Sequence, residues 1–253
     1  LDPITTEVVL SRLRETTAAM AHALFHSGYS PILRESQDGT AGLTDAEGRV
    51  IMVGGGLQYH SLLYTKSVAS VLERYPAAAM RDGDSFICND PYKAGNSHVP
   101  DMVVATPVFH RGKIVAFGVS VAHKADVGGL VPGSSGAASR EIFHDGLLLP
   151  PVRYWAADGV NPEIEAIIRK YPNVKIRFSL EGFEATNNAI RGEKDGFNQK
   201  VKGLLRLKEL GGTDLGFAIT IQDDNTGDLV KLFQFAEENG FEVIIAGAGM
   251  AAH

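Results

Sequence analysis

The sequence contains a single cysteine, Cys88, among its 253 residues. One thiol cannot form an internal disulfide or a thiolate cage for a metal ion, and such scarcity agrees with a reducing compartment. Long apolar runs are missing too, because the longest extend over about nine residues whereas a membrane-spanning helix needs about 20. No signal peptide opens the sequence, so the expected location is the cytoplasm.

Blocks of like charge are also absent. The sequence has 24 Lys and Arg residues against 30 Asp and Glu residues, which gives a formal net charge of −6. Proteins that follow nucleic-acid phosphates need clustered basic residues, so nucleic acid is not an expected partner. Glycine is abundant: 28 of the 253 residues are glycine, whereas a usual share of about 7% would give about 18. Many turns and a loop-rich β component are therefore expected.

Two parts with different architectures follow one another along the chain. In residues 1–160, β-rich runs joined by turns accompany an amphipathic helix over residues 6–28, which predicts an α+β part with antiparallel hairpins. In residues 161–253, strand-like and helical segments alternate. This alternation predicts a βαβαβ unit with a parallel sheet, similar to half of an α/β barrel.

The stretch "NDPYKAGNSHVPDM", residues 89–102, places His98 and Asp101 among Pro and Gly residues. A spacing of three would put both side chains on one face of a helix, but Pro100 lies between them and disfavours a helix. The loop must then turn the two side chains inward by its own shape. The simpler interpretation is a polar turn in which aspartates cap backbone amides.

A hairpin brings a third polar residue to this loop. The runs "MVVATPVFH" and "KIVAFGVSVAH" are joined through "HRGK", and a tight turn there makes the numbers of facing residues sum to about 223. Asp101 should therefore face the neighbourhood of Ala122 and His123. The open end of the hairpin is expected to bring Asp101 and His123 together.

Together, His98, Asp101 and His123 offer two imidazole nitrogens and one carboxylate oxygen. This mixed set suits Zn²⁺, Mn²⁺ or Fe²⁺ and leaves coordination positions open for water or substrate. Such an ion lowers the pKa of a bound water or polarises a carbonyl. Asp126, three residues after His123, could orient that histidine or bind the ion directly. Spacing alone does not select the further candidates, Asp38 and His60.

Several segments resemble the hydantoinase B family: "LDPITTEVV", "SPILRESQD", "GDSFICNDPYKAGNSHVPDMVVATPVFHRGKIVAF", "AHKADVGGLVPGS" and "EIFHDGLLLPPVR". The resemblance covers residues 1 to about 160. That family includes N-methylhydantoinase and 5-oxoprolinase subunits, caprolactamase, and acetone and acetophenone carboxylase subunits. Its full-length members are considerably longer, so the resemblance implies that only their N-terminal portion is represented.

The resemblance implies a metal-dependent subunit of a hetero-oligomer, acting on a small molecule with a hydantoinase A-like partner that uses ATP. For the hydrolases of the family, the resemblance implies that the partner phosphorylates the amide oxygen of a cyclic substrate and that this subunit then helps water to open the ring. In the carboxylases, a phosphorylated substrate meets activated bicarbonate. The resemblance alone does not separate the two reactions.

Residue by residue, the resemblance implies a metal-ligand set of two histidines and two aspartates: Asp38, His98, Asp101 and His123. His60 matches a family histidine near the site and is, with Asp126, a candidate catalytic residue. Lys124 departs from the family, which usually has a second histidine beside the ligand. This departure weakens any role for paired imidazoles.

Residues 163–245 look instead like the second half of a radical S-adenosylmethionine barrel, in which Ser179 and Arg191 would lie near the cofactor. The three-cysteine motif of that family is missing, since Cys88 is the only cysteine. Without thiolates no iron–sulfur cluster can form, so radical chemistry is not supported. Turn formation and a surface ion pair are the simpler roles of Ser179 and Arg191.

Four functions follow from these patterns. The leading one is the metal-dependent component of an ATP-dependent cyclic amide hydrolase. The second keeps the metal but makes the reaction a ketone carboxylation. The third is a non-catalytic fusion or scaffold fragment, joined from two families near residue 160, and the fourth is an S-adenosylmethionine binder.

Overall fold

The computed structural model describes residues 2–28, 30–134, 136–156, 159–191 and 194–246. The chain divides into two compact units, Leu1–Asn161 and Pro162–His253. Within the described residues the α-helices are α1 (Pro3–Ser27), α2 (Pro31–Arg34), α3 (Leu62–Arg74), α4 (Pro162–Lys170), α5 (Glu184–Arg191), α6 (Gly196–Glu209) and α7 (Leu229–Asn239). The strands are β1 (Gly39–Asp45), β2 (Val50–Gly56), β3 (Ser85–Cys88), β4 (Asp101–His110), β5 (Lys113–His123), β6 (Val152–Ala156), β7 (Gly159–Val160), β8 (Ile176–Ser179), β9 (Leu215–Thr220) and β10 (Glu242–Ala246).

The first unit is built on a seven-stranded sheet with the order β2-β1-β5-β4-β3-β6-β7, in which every neighbouring pair is antiparallel. Helix α3 packs on this sheet through buried Tyr64, Val68 and Val71, which form one apolar cluster with strand residues such as Phe86 and Val121. The predicted antiparallel α+β architecture is confirmed for this unit.

Helix α1 lies across β1 and β2, and glycine makes the close approach possible. A Cβ atom at Gly54 would lie 2.3 Å from the backbone oxygen of Thr17, so only glycine fits there without a shift. The second half of α1 buries Ala21 and Phe25 against the sheet. In the first half Val8 is 56% exposed, so the predicted apolar face is buried only over the later turns of the helix.

The β4–β5 hairpin confirms the pairing of Asp101 with His123. Next to the turn, Phe109 pairs with Ile114, and continuing that register unshifted would place Ala122 opposite Asp101. A register shift between Val108 and Phe109 moves the pairing by one residue. Because neighbouring residues of a strand point to opposite faces, this shift puts the side chains of Asp101 and His123 on the same face.

The second unit contains a three-stranded parallel sheet with the order β10-β9-β8. Helices α5 and α6 connect β8 to β9, and α7 connects β9 to β10. The central strand β9 is buried along its length, with Phe217 and Ile219 in an apolar cluster that includes Leu204 of α6 and Leu232 of α7. The predicted βαβαβ unit is therefore observed, and its relation to a half barrel stays a prediction.

Cys88 is buried at the end of β3. Burial raises the pKa of its thiol to about 12, which keeps the sulfur in its unreactive protonated form. Among the described residues, no helix is both long and apolar enough to cross a membrane.

Candidate metal centre

Asp101 lies at the centre of the candidate site, where it begins β4 with no exposed surface. His123 ends the neighbouring strand β5 directly opposite. The Nδ1 atom of His123 lies 3.0 Å from Oδ1 of Asp101. The structure thus brings together two of the predicted ligands through strand pairing alone.

His98 approaches the same carboxylate oxygen from the loop that precedes β4. Its Nε2 atom lies 3.1 Å from Oδ1 of Asp101, and its ring centroid lies 4.8 Å from that of His123. One ligand atom from each of the three residues lies within 4.8 Å of the others. The His98 side chain is 39% exposed, so it forms the solvent side of this group.

Asp38 reaches the site because β1 pairs with β5. The residue precedes β1, and its backbone oxygen accepts a hydrogen bond of 3.0 Å from the N–H of His123. Its Oδ2 atom lies 4.0 Å from Nδ1 of His123. Asp38 is therefore close to the three-residue group, but its carboxylate lies farther from Nδ1 of His123 than the carboxylate of Asp101 does.

His60 is fully buried in a short 3₁₀ turn, Gln58–Ser61, that follows β2. Its Nε2 atom lies 3.7 Å from Oδ1 of Asp38 and 3.7 Å from Oδ2 of Asp101. Burial lowers the pKa of His60, against the opposing influence of the two carboxylates. The neutral imidazole is therefore favoured, which is the form that accepts a proton or binds a metal.

Asp126 is placed differently from the other candidates. Its side chain is exposed and its Oδ1 atom accepts a hydrogen bond of 2.7 Å from the backbone N–H of Gly128. It does not belong to the group of three whose ligand atoms converge within the described residues. A catalytic role for Asp126 stays a prediction.

The residues present fit a divalent ion. Buried polar atoms nearly always have a hydrogen-bond partner, yet Oδ1 of Asp38, which lies 3.7 Å from Nε2 of His60, has none among the described residues. The imidazoles of His98 and His123 and the carboxylate of Asp101 converge in the same part of the site. Nitrogen and oxygen donors in this combination are those that Zn²⁺, Mn²⁺ and Fe²⁺ accept.

Asn89 fixes the shape of the loop that carries His98, and sequence reasoning missed it. Its buried amide nitrogen donates hydrogen bonds of 2.7 Å to the backbone oxygens of Val99 and Leu147, and its Oδ1 atom accepts one of 2.6 Å from the N–H of Leu149. The side chain thus ties the loop to a distant segment. The only signal in the sequence is a polar residue directly after an apolar strand.

Asn96 and Ser97 are two further residues that sequence reasoning missed. The amide nitrogen of Asn96 donates to the backbone oxygen of Asp101, and the hydroxyl of Ser97 donates to Oδ2 of Asp101. Both lie in the loop just ahead of His98. They hold the aspartate rather than converge with the imidazoles.

The second unit contains the residues of the S-adenosylmethionine hypothesis. Ser179 ends β8 and is half-buried, whereas the side chain of Arg191 lies outside the described residues. An open cleft of about 450 Å³ is lined by Ala185, Thr186, Ala189, Ile190 and Asp224. Ser179 is not one of these lining residues, so the cleft does not support that hypothesis.

Comparison with known proteins gives a family match. The family model described as hydantoinase B/oxoprolinase matches residues 2–191. An uncharacterized protein of Methanocaldococcus jannaschii is 27% identical over 212 residues, covering 83% of this chain and 36% of that protein. A putative D-/L-hydantoinase subunit of a Pseudomonas species is 32% identical over 160 residues, covering 61% of this chain and 27% of that protein.

Two solved structures share the fold. A nucleotide-free acetone carboxylase has a TM-score of 0.58 at 21% identity, covering 83% of this chain and 26% of that one. The ATP-dependent caprolactamase of Pseudomonas jessenii has a TM-score of 0.55 at 23% identity, covering 83% of this chain and 37% of that one. At these identities the likeness concerns the fold alone.

The comparisons also bear on the division of the chain. It spans 27–36% of the length of the Pseudomonas and Methanocaldococcus relatives. The family match runs to residue 191, past the limit near residue 160 that the sequence motifs indicated. The resemblance of residues 163–245 to a radical S-adenosylmethionine barrel gains no support from these matches and stays a prediction.

Replacing Asn89 by alanine tests its part in shaping the loop. Asn89→Ala leaves three backbone groups, one of them buried and two partly buried, without their partner, so we expect the free energy of unfolding to fall by about 3 kcal/mol. Urea denaturation followed by circular dichroism measures the change. The control is Gln58→Ala, which removes an exposed amide and should cost less than about 0.5 kcal/mol. Equal effects of the two substitutions would contradict the assignment.

Proposed function

Because the chain belongs to the hydantoinase B/oxoprolinase family, we propose that residues 1–160 form the metal-binding part of an ATP-dependent enzyme that opens cyclic amides. The observation that carries this proposal is the convergence of His98 and His123 on one buried carboxylate oxygen of Asp101. Relatives named 5-oxoprolinase and caprolactamase (its beta subunit) support the cyclic amide as the substrate class. Residues 161–253 form the second, α/β part.

Four residues would hold the ion in this proposal: His98, Asp101 and His123, with Asp38 as a further ligand. A bound Zn²⁺, Mn²⁺ or Fe²⁺ supplies Lewis acidity, which polarises a carbonyl or lowers the pKa of a water. Asp101 has no solvent exposure, so its charge acts at short range in a medium of low polarity. Because His98 is the partly exposed member of the group, a small substrate would reach the ion from the side on which His98 lies.

His60 is the candidate acid and base. When water opens an amide ring, the water oxygen bonds to the carbonyl carbon, the C–N bond breaks, and a proton passes from the water to the leaving nitrogen. A neutral, buried imidazole beside two carboxylates is suited to carry that proton. Asp126, three residues after His123, remains a candidate for orienting that histidine.

The ATP-dependent step is assigned to a partner. We propose a hydantoinase A-like subunit that uses ATP, assembled with this chain in a hetero-oligomer. The relatives named as a hydantoinase subunit and as the beta subunit of caprolactamase support an assembly of several subunits. The partner would activate the amide oxygen with ATP, and this chain would then assist the attack of water on the ring.

A ketone carboxylase subunit is the second candidate function. Its support is the acetophenone carboxylase delta subunit of Aromatoleum aromaticum, which is 30% identical over 116 residues, or 46% of this chain and 17% of that protein. The same ligand set would then serve a ketone and bicarbonate in place of a cyclic amide. A non-catalytic fusion or scaffold fragment remains a third candidate.

Metal analysis tests the site directly. We expect purified protein, after reconstitution, to hold a stoichiometric amount of Mn, Zn or Fe, and His98→Ala and His123→Ala to lose it, because each removes one of three converging ligands. Inductively coupled plasma mass spectrometry measures the content. The matched control is His110→Ala, which removes an exposed histidine at the other end of β4 and should leave the metal content unchanged. A wild-type protein without metal would refute the proposal.

Product analysis separates the functions. The chain is combined with a hydantoinase A-like subunit and ATP, and is offered either a cyclic amide or a ketone with bicarbonate. We expect ring-opened amino acid from the cyclic amide and no carboxylated ketone, measured by mass spectrometry. Carboxylated ketone alone would establish the second function instead. No product from either substrate, with metal bound, would favour the scaffold.

A further inference from the structure

The two carboxylate oxygens of Asp101 have different surroundings. Oδ1 faces Nε2 of His98 at 3.1 Å and Nδ1 of His123 at 3.0 Å. Oδ2 accepts a hydrogen bond from the hydroxyl of Ser97, and lies 3.7 Å from Nε2 of His60. One oxygen therefore points to the converging imidazoles, whereas the other is held by a neutral donor.

The same loop also holds the main chain of Asp101. The side-chain amide of Asn96 donates a hydrogen bond to the backbone oxygen of Asp101. The backbone N–H of Asp101 donates one of 3.3 Å to the backbone oxygen of His98. With Ser97 on the carboxylate, three consecutive residues contact three different groups of Asp101. The peptide on either side and the side chain are thus fixed together.

A carboxylate can offer one oxygen or both to a divalent ion. The hydrogen bond from Ser97 to Oδ2 opposes rotation of the Asp101 carboxylate away from its present orientation. A hydroxyl has a single proton to donate, and on a buried carboxylate such a charge-assisted bond is among the stronger ones. Ser97 therefore favours the orientation in which only Oδ1 faces the imidazoles.

We propose that Ser97 is a positioning residue that makes Asp101 a one-oxygen ligand, so that a coordination position stays open for water or substrate. This inference rests on the proposed function of the site as a metal centre. Ser97 acts through the carboxylate of Asp101 rather than as a ligand of the ion. Partners of this kind tune metal affinity without being ligands.

An isosteric pair of substitutions isolates the hydroxyl. Ser97→Thr keeps it, and Ser97→Val has the shape of threonine without it. Ser97 is an exposed residue, and each variant enlarges the serine side chain by the size of only one methyl group. The experiment measures the dissociation constant of Mn²⁺ by competition with a chelating dye, and records the EPR spectrum of the bound ion. Ser11→Ala, on the exposed surface of α1, is the control for loss of a serine hydroxyl elsewhere.

We expect Ser97→Val to weaken Mn²⁺ binding by about 10- to 100-fold, the usual effect of losing a hydrogen-bond partner of a ligand. Its EPR spectrum should change as well, because the carboxylate is free to offer both oxygens. Ser97→Thr should retain the affinity and the spectrum of the wild type. Thermal unfolding monitored by circular dichroism checks that both variants fold.

Equal affinity and an unchanged spectrum in Ser97→Val would overturn the positioning role while leaving the metal centre in place. Equal losses in Ser97→Thr and Ser97→Val would overturn it too, since the effect would then come from the added bulk. A wild-type protein that binds no Mn²⁺, Zn²⁺ or Fe²⁺ would remove the proposed function and this inference together. The three results are distinguishable from one another.

Discussion

The one-residue register shift in the β4–β5 hairpin is the constraint on which the candidate site depends. Without it Ala122 would stand opposite Asp101, and the His123 side chain would point to the other face of the sheet. With it, a fully buried carboxylate meets an imidazole through backbone pairing alone. His98 and Asp38 then join the pair because one precedes β4 and the other precedes β1, which pairs with β5.

Burial of these charged and polar side chains costs free energy. A charged or polar group removed from water is costly unless it is paired, and the site places two carboxylates and three imidazoles close together. One of its buried carboxylate oxygens, Oδ1 of Asp38, has no hydrogen-bond partner among the described residues. A divalent ion would balance the carboxylate charges and accept a lone pair of Asp38 Oδ1, which couples metal binding to the stability of the fold.

The sequence was informative where local rules decide the structure. Alternating apolar residues and the Arg111–Gly112 turn predicted the hairpin, and counting from the turn placed Asp101 near His123. The register shift that places Asp101 directly opposite His123 was not predictable, because nothing in the sequence around Val108 and Phe109 marks it. The roles of Asn89, Asn96 and Ser97 were missed for a related reason: their partners are backbone groups and a carboxylate whose positions exist only once the loop has folded.

Anomalous diffraction from crystals soaked with Mn²⁺, recorded at the manganese edge, tests the central claim most directly. We expect a single strong peak among Nε2 of His98, Oδ1 of Asp101 and Nδ1 of His123, where the three ligand atoms converge. A peak elsewhere in the chain, or a protein that holds no manganese at all, would contradict the assignment of a metal centre to these residues.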